Sequence, residues 1–181
     1  MQFRRIRFEK FTVTIFTAHA GEERIILPSE LTRGMTAADA EPIAHLLAQY
    51  PDAHPLHTIP VFTKGGFEAL GGGNPPVLRP AGSGAVQFVR AIDNYRMRAT
   101  EEGSEYHCIT PRSETPVWWQ RAFVSGQAGD TFDVLPKEYL YIAEGSFEMA
   151  GQTFSGPTML EITKAYTATI TEPVLGVKIW R

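Results

Sequence analysis

The sequence predicts a mainly β protein, a sandwich or small barrel with one short helix and one long Gly/Pro-rich loop. Three observations carry this. Residues 117–181 are runs of β-branched, aromatic and aliphatic residues cut by Gly or Pro at roughly ten-residue intervals, as in small barrels and sandwiches. Residues 1–18 alternate apolar and polar side chains, the period of a half-buried strand. A single stretch, 39–50, carries the helical period.

In the first 18 residues Phe3, Ile6, Phe8, Phe11, Val13 and Ile15 are interleaved with Arg, Lys, Glu and Thr. The phase slips near Arg4-Arg5 and again near Glu9-Lys10, so two strands or one long bent strand fit the pattern. The basic group of Arg4, Arg5, Arg7 and Lys10 reads as the solvated face of an edge strand, where charge deters unwanted pairing. Residues 23–27 form another short strand, stopped by Pro28. In the helix, Asp39 serves as N-cap and Pro42 sits in the first turn. Ile43, Leu46, Leu47 and Tyr50 then make one apolar stripe that ends at Pro51.

Residues 52–84 are the least regular part, with Gly65-Gly66, Gly71-Gly72-Gly73-Asn74-Pro75-Pro76 and Gly82-Ser83-Gly84. A connection of this length without secondary structure is normally functional or disordered. Its glycines make no phosphate loop, because no Gly-Lys-Ser/Thr follows them. Strands resume at 86–89, 95–99, 106–109 and 118–123. Near the end, residues 138–149 read as a hairpin turning at Glu144-Gly145. Before the turn both faces are apolar, with Tyr139 and Tyr141 on one and Leu140 and Ile142 on the other; after it Phe147 and Met149 alternate with Ser146 and Glu148. The closing run of Val174, Leu175, Val177, Ile179 and Trp180 belongs inside a sheet.

The C-terminal third also resembles the core of the cupins, jelly-roll barrels whose first motif is Gly, five residues, His-x-His, three or four residues, Glu, six residues, Gly. Here Gly126, Phe132, Val134, Glu138 and Gly145 stand at those positions. Gly151, Pro157, Met159 and Ile162 stand at the positions of the second motif, Gly, five residues, Pro-x-Gly, two residues, His. The resemblance implies a jelly-roll/cupin-like barrel, with residues 85–181 as its core and residues 1–84 supplying N-terminal strands, the helix 39–50 and a Gly/Pro-rich arm. It also implies a metal site whose histidines are replaced by Phe132, Val134 and Ile162. Those side chains offer no lone pair to a metal, so no metal and no other cofactor is expected.

Composition sets outer limits. The chain has 181 residues, 43% hydrophobic and 20% charged, enough for a good core in one structural unit. A net charge of −3 exerts no general pull toward nucleic acid or an anionic membrane, and neither partner is expected. The lone Cys108 excludes an internal disulfide, and there is no apolar run of membrane-spanning length and no signal-peptide core. The expected location is the cytoplasm, or a particle such as a virion assembled there.

Candidate functional residues each have a plainer explanation. His54 and His57 share a Pro-rich loop and would bind metal only with help from His107 or Glu138; as a pair without an acidic neighbour they read as solvent-exposed. His107 and Cys108 are adjacent on a strand and point to opposite faces, so they form no nucleophile–base dyad. His107, Arg121, Glu138, Tyr139 and Tyr141 are the candidates for lining a ligand cavity, where a tyrosine or carboxylate would move a proton and an arginine would hold an anion. Trp118 and Trp119 cannot both face a core from one strand, and an outward indole is an interface anchor. With Gly71, Gly72, Gly73, Arg4 and Arg5 they are the candidate interface residues.

Two functions fit. In the first the chain is a non-catalytic building block of a homo-oligomer or larger assembly, such as a viral or phage particle, with the arm reaching onto neighbours. In the second it is a small-molecule-binding cupin-type enzyme or sensor with an absent or unusual metal site. A polar cavity holding several of the ligand-lining candidates favours the second, whereas an interior filled by Phe132, Val134, Leu140 and Ile162 favours the first.

Overall fold

A computed structural model describes residues 2–26, 58–71, 85–90, 95–112 and 120–180, and the elements in them are all strands. The expected helix 39–50 lies outside the described residues, as do His54, His57, Gly72, Gly73, Trp118 and Trp119. The chain divides into two compact units, Met1–Trp118 and Trp119–Arg181.

In the first unit β1 (Gln2–Arg7), β2 (Phe11–Ala18), β4 (Thr58–Lys64), β6 (Ala85–Arg90) and β8 (Ser104–Pro111) form a sheet in the order β1-β2-β8-β4-β6. A second sheet has the order β3-β7-β5, from β3 (Glu23–Ile26), β7 (Tyr95–Ala99) and β5 (Phe67–Gly71). The N-terminal alternation is therefore two antiparallel strands joined at Phe8-Glu9-Lys10, and the Arg-rich β1 is an edge strand. β2 is paired on both sides and buried along nearly its whole length.

Residues 58–71 are not the irregular loop that the glycines predict. They form β4 and β5, which belong to different sheets. Gly65, with φ of 80°, makes the corner between them, and Gly66 lies so close to Thr100 that a side chain there would collide with it. Pro60 in β4 sits one residue outside the ladder to β8, which begins at Val61, so it is paired on one side only. In the second sheet Arg98 spans both neighbours, with Nη2 donating to Glu23 at 2.7 Å and Nη1 to Glu68 at 2.8 Å.

The second unit is built around β14 (Tyr166–Trp180). It pairs with β11 (Tyr139–Met149) on one side, and with β9 (Gln120–Gly126) and β10 (Thr131–Val134) on the other. β12 (Gln152–Ser155) and β13 (Thr158–Glu161) pair with β11. The closing apolar run thus lies inside a sheet, as predicted.

The expected hairpin at Glu144-Gly145 is not formed: β11 runs straight through it. Leu140 and Ile142 point into the core, and so do Phe147 and Met149. An even and an odd pair can share one face of a continuous strand only if the strand slips by one residue between them. The register against β14 shifts between Ile142 and Phe147, which is that slip, a β-bulge centred on Gly145. The real turn lies further on: Ala150 and Gly151, with φ of 53° and 74°, join β11 to β12 in the two-residue loop that matches strand twist.

Candidate functional site

The positions of the cupin motifs converge in the second unit, and what they make there is apolar. Val134, Leu140, Phe147, Ile162 and Ile170 belong to one buried cluster, against which Phe132, Phe154, Leu160 and Tyr166 pack. Phe132 meets Phe147 edge-on at 5.6 Å between ring centroids, and Phe154 stacks on Phe147 at 5.4 Å. Val134 and Ile162 are side chains of this cluster, and Phe132 is packed on it. They do not fit a metal ion, and among the described residues no three His, Cys, Asp or Glu side chains are grouped to hold one.

Glu138 has a structural task. Its Oε2 accepts from the Leu135 N–H at 2.8 Å, closing the turn in which Lys137 has φ of 74°. Its carbonyl accepts from the Ile162 N–H at 2.8 Å, and Lys178 Nζ approaches Oε1 at 3.5 Å. With both oxygens engaged and only 6% of the residue exposed, Glu138 locks a turn rather than facing a cavity.

Tyr139 and Tyr141 share the face of β11 opposite to Leu140 and Ile142, with Tyr141 fully buried. Tyr139 stands across from Ile179, which stands across from Arg121, so register puts these on one row. His107 belongs to the first unit, on β8. It is 2% exposed, and its Nε2 lies 3.1 Å from Glu105 Oε2. Glu105 was not singled out in the sequence, although its spacing of two residues from His107 on a strand puts both on one face. Cys108 points the other way, is fully buried, and burial pushes its thiol well above the ordinary range, so it has no thiolate to offer. Gly71 ends β5 opposite Arg96 through a register shift. Arg4 is exposed on β1, and Arg5 is half-buried with its guanidinium carbon 4.8 Å from the centroid of the Phe3 ring.

The His107–Glu105 pair gives this unit an acid-sensitive element. Burial outweighs the Glu105 hydrogen bond and lowers the His107 pKa, with Lys64 and Arg4 adding to the lowering; the hydrogen bond to His107 lowers that of Glu105. For His107 the unfolded chain binds the proton more readily, so the stability is fully present above about pH 6.5 and falls as the pH drops below it. The Glu105 contribution has the same sign and is lost below its ordinary carboxylate range. Between pH 7 and 5 the folded state should lose stability, by at most about 2 kcal/mol from His107, and His107→Gln should flatten this slope. Urea midpoints across that range check it; equal slopes in the two proteins would assign the sensitivity elsewhere.

No family model matches the chain, and no curated protein matches it. Solved structures do. YhaK from Escherichia coli is similar over 98% of this chain and 92% of its own, with a TM-score of 0.52 at 8% identity. AerE from Microcystis aeruginosa is similar over 98% and 90%, with a TM-score of 0.50 at 8% identity. A cupin 2 conserved barrel domain protein from Leptotrichia buccalis covers 99% of this chain and 88% of its own, with a TM-score of 0.47 at 10% identity. At such identities the likeness speaks for fold alone, and the β-rich fold predicted from the sequence is the one the strands form.

Proposed function

We propose that the chain is a non-catalytic, metal-independent building block that self-associates, as a homo-oligomer or as a subunit of a larger particle. The observation that carries this reading is the filled interior of the second unit. Where a cupin-type site would gather donors for a metal, Val134 and Ile162 are buried in the apolar cluster and Phe132 packs on it. The carboxylate beside them is spent on a turn. A unit with this interior supplies shape and stability instead of chemistry.

Self-association draws support from the surface. Phe3 is 51% exposed on edge strand β1 and is flanked by Arg4 and Arg5, an apolar anchor within a charged rim of the kind that interfaces use. Native mass spectrometry with metal analysis tests the reading. A metal-free oligomer is expected, dissociating toward smaller species in Phe3→Asp. A monomer would sink the assembly role, and one stoichiometric transition metal would sink metal independence.

A further inference from the structure

The first unit holds a polar feature that its packing does not explain. The face of the five-stranded sheet bearing Phe16 and Tyr106 is the one turned to the second sheet, since Phe67 of β5 meets the Tyr106 ring edge-on at 6.2 Å. On that inner face β2 also carries Thr12 and Thr14, 1% and 0% exposed, and neither hydroxyl makes a hydrogen bond among the described residues. Buried hydroxyls are nearly always partnered, because leaving one unmade forfeits its hydration without return. Thr110 does not supply the missing bond: its hydroxyl donates to the Thr12 carbonyl at 3.0 Å.

Each of these threonines stands directly across from an arginine of β1. Arg5 is paired with Thr14 and Arg7 with Thr12, so two guanidinium groups and two hydroxyls share one end of the same face. Arg5 is half-buried and held against the sheet over Phe3, and Arg7 is exposed at the edge. A guanidinium is a donor only and a hydroxyl can donate; the group that engages both from adjacent strands must be rich in acceptors.

We propose that Arg5, Arg7, Thr12 and Thr14 form a binding site for a small oxyanion, a carboxylate or phosphate group, entered from the β1 edge of the first unit. The site is separate from the filled interior of the second unit and does not depend on the proposed building-block role. An oxyanion held between Thr14 and Arg5 receives one hydroxyl and up to two guanidinium hydrogen bonds, and Thr12 with Arg7 repeats the arrangement two residues along.

The test is calorimetric titration of the full chain with sodium phosphate and, separately, sodium acetate, against sodium chloride at equal ionic strength. Saturable binding of at least one is expected, phosphate alone or acetate alone identifying which oxyanion the site prefers. Arg5→Gln and Thr14→Val should each weaken it by about tenfold or more, the usual scale for one charge-assisted hydrogen bond. The double variant Thr12→Val/Thr14→Val has a further signature. It removes two unpartnered hydroxyls, so the unliganded protein should melt higher, while the anion-induced rise in melting temperature disappears. A hydroxyl pair with a purely structural task would show the reverse in the unliganded protein. Absence of saturation with both anions up to roughly 50 mM, or wild-type affinity in both Arg5→Gln and Thr14→Val, overturns the proposal.

Discussion

Replacing Gly145 with alanine is expected to cost about 2–5 kcal/mol, a large fraction of the stability a small domain has. Two independent terms add. The residue has φ of 87°, a left-handed conformation that carries a penalty of about 1–2 kcal/mol for any residue with a Cβ. The new methyl would also be driven into the Pro173 carbonyl oxygen, with the Val174 Cα behind it. Both are backbone atoms of the neighbouring strand β14, so no side-chain rotation relieves the clash; β14 must move, and with it the pairing on both its edges. The Gly145 carbonyl moreover accepts from the Gly156 N–H at 2.8 Å, tying the bulge to the turn before β13. Gly151→Ala is the control: φ there is 74°, but an added Cβ meets nothing within 4 Å, so only the conformational term of about 1–2 kcal/mol applies. Urea unfolding of both variants separates the two terms. If Gly145→Ala falls no further than Gly151→Ala, β14 yields easily and the bulge is not locked in place.

The same glycine shows what the sequence could and could not tell. The apolar pattern around it was legible: the slip from Leu140 and Ile142 to Phe147 and Met149 marks a break in phase, and the break is real. A phase slip followed by glycine is satisfied equally by a turn and by a bulge, and local sequence does not choose between them. The choice is made by β14, a strand long enough to run alongside both halves, whose register no window around residue 145 contains. Residues 58–71 failed for a related reason. Gly65-Gly66 and Pro60 are breakers in a local reading, yet the glycines form a corner between two sheets and the proline falls where β4 is paired on one side. The apolar character of Phe132, Val134 and Ile162 was readable at once, since identity alone decides whether a side chain can bind a metal. The hydroxyls of Thr12 and Thr14 were not, because alternating threonines look the same on a solvated face as on a buried one; what buries them is the position of β2 between β1 and β8 on a face turned to the second sheet.

Phe147→Ala should be the most damaging truncation in the second unit, at about 3–5 kcal/mol. The residue is fully buried, and its ring is held between those of Phe132 and Phe154. Its removal takes away the transfer energy of a large side chain and leaves a cavity, and it strips two aromatic neighbours of their contacts. Collapse into the space is resisted because Phe147 follows the bulge and is pinned by pairing with both Ile170 and Phe154. Phe147→Leu keeps most of the volume and should cost about 1–2 kcal/mol. Phe154→Ala, at a partly exposed edge position, should fall between them. Thermal and urea unfolding of the three variants gives the order directly. The result bears on function as well as on stability, because the building-block reading requires the interior to be solid. A cost below about 1 kcal/mol for Phe147→Ala would mean that the space around Phe132, Val134 and Ile162 tolerates emptying, and an interior of that kind could admit a small apolar ligand.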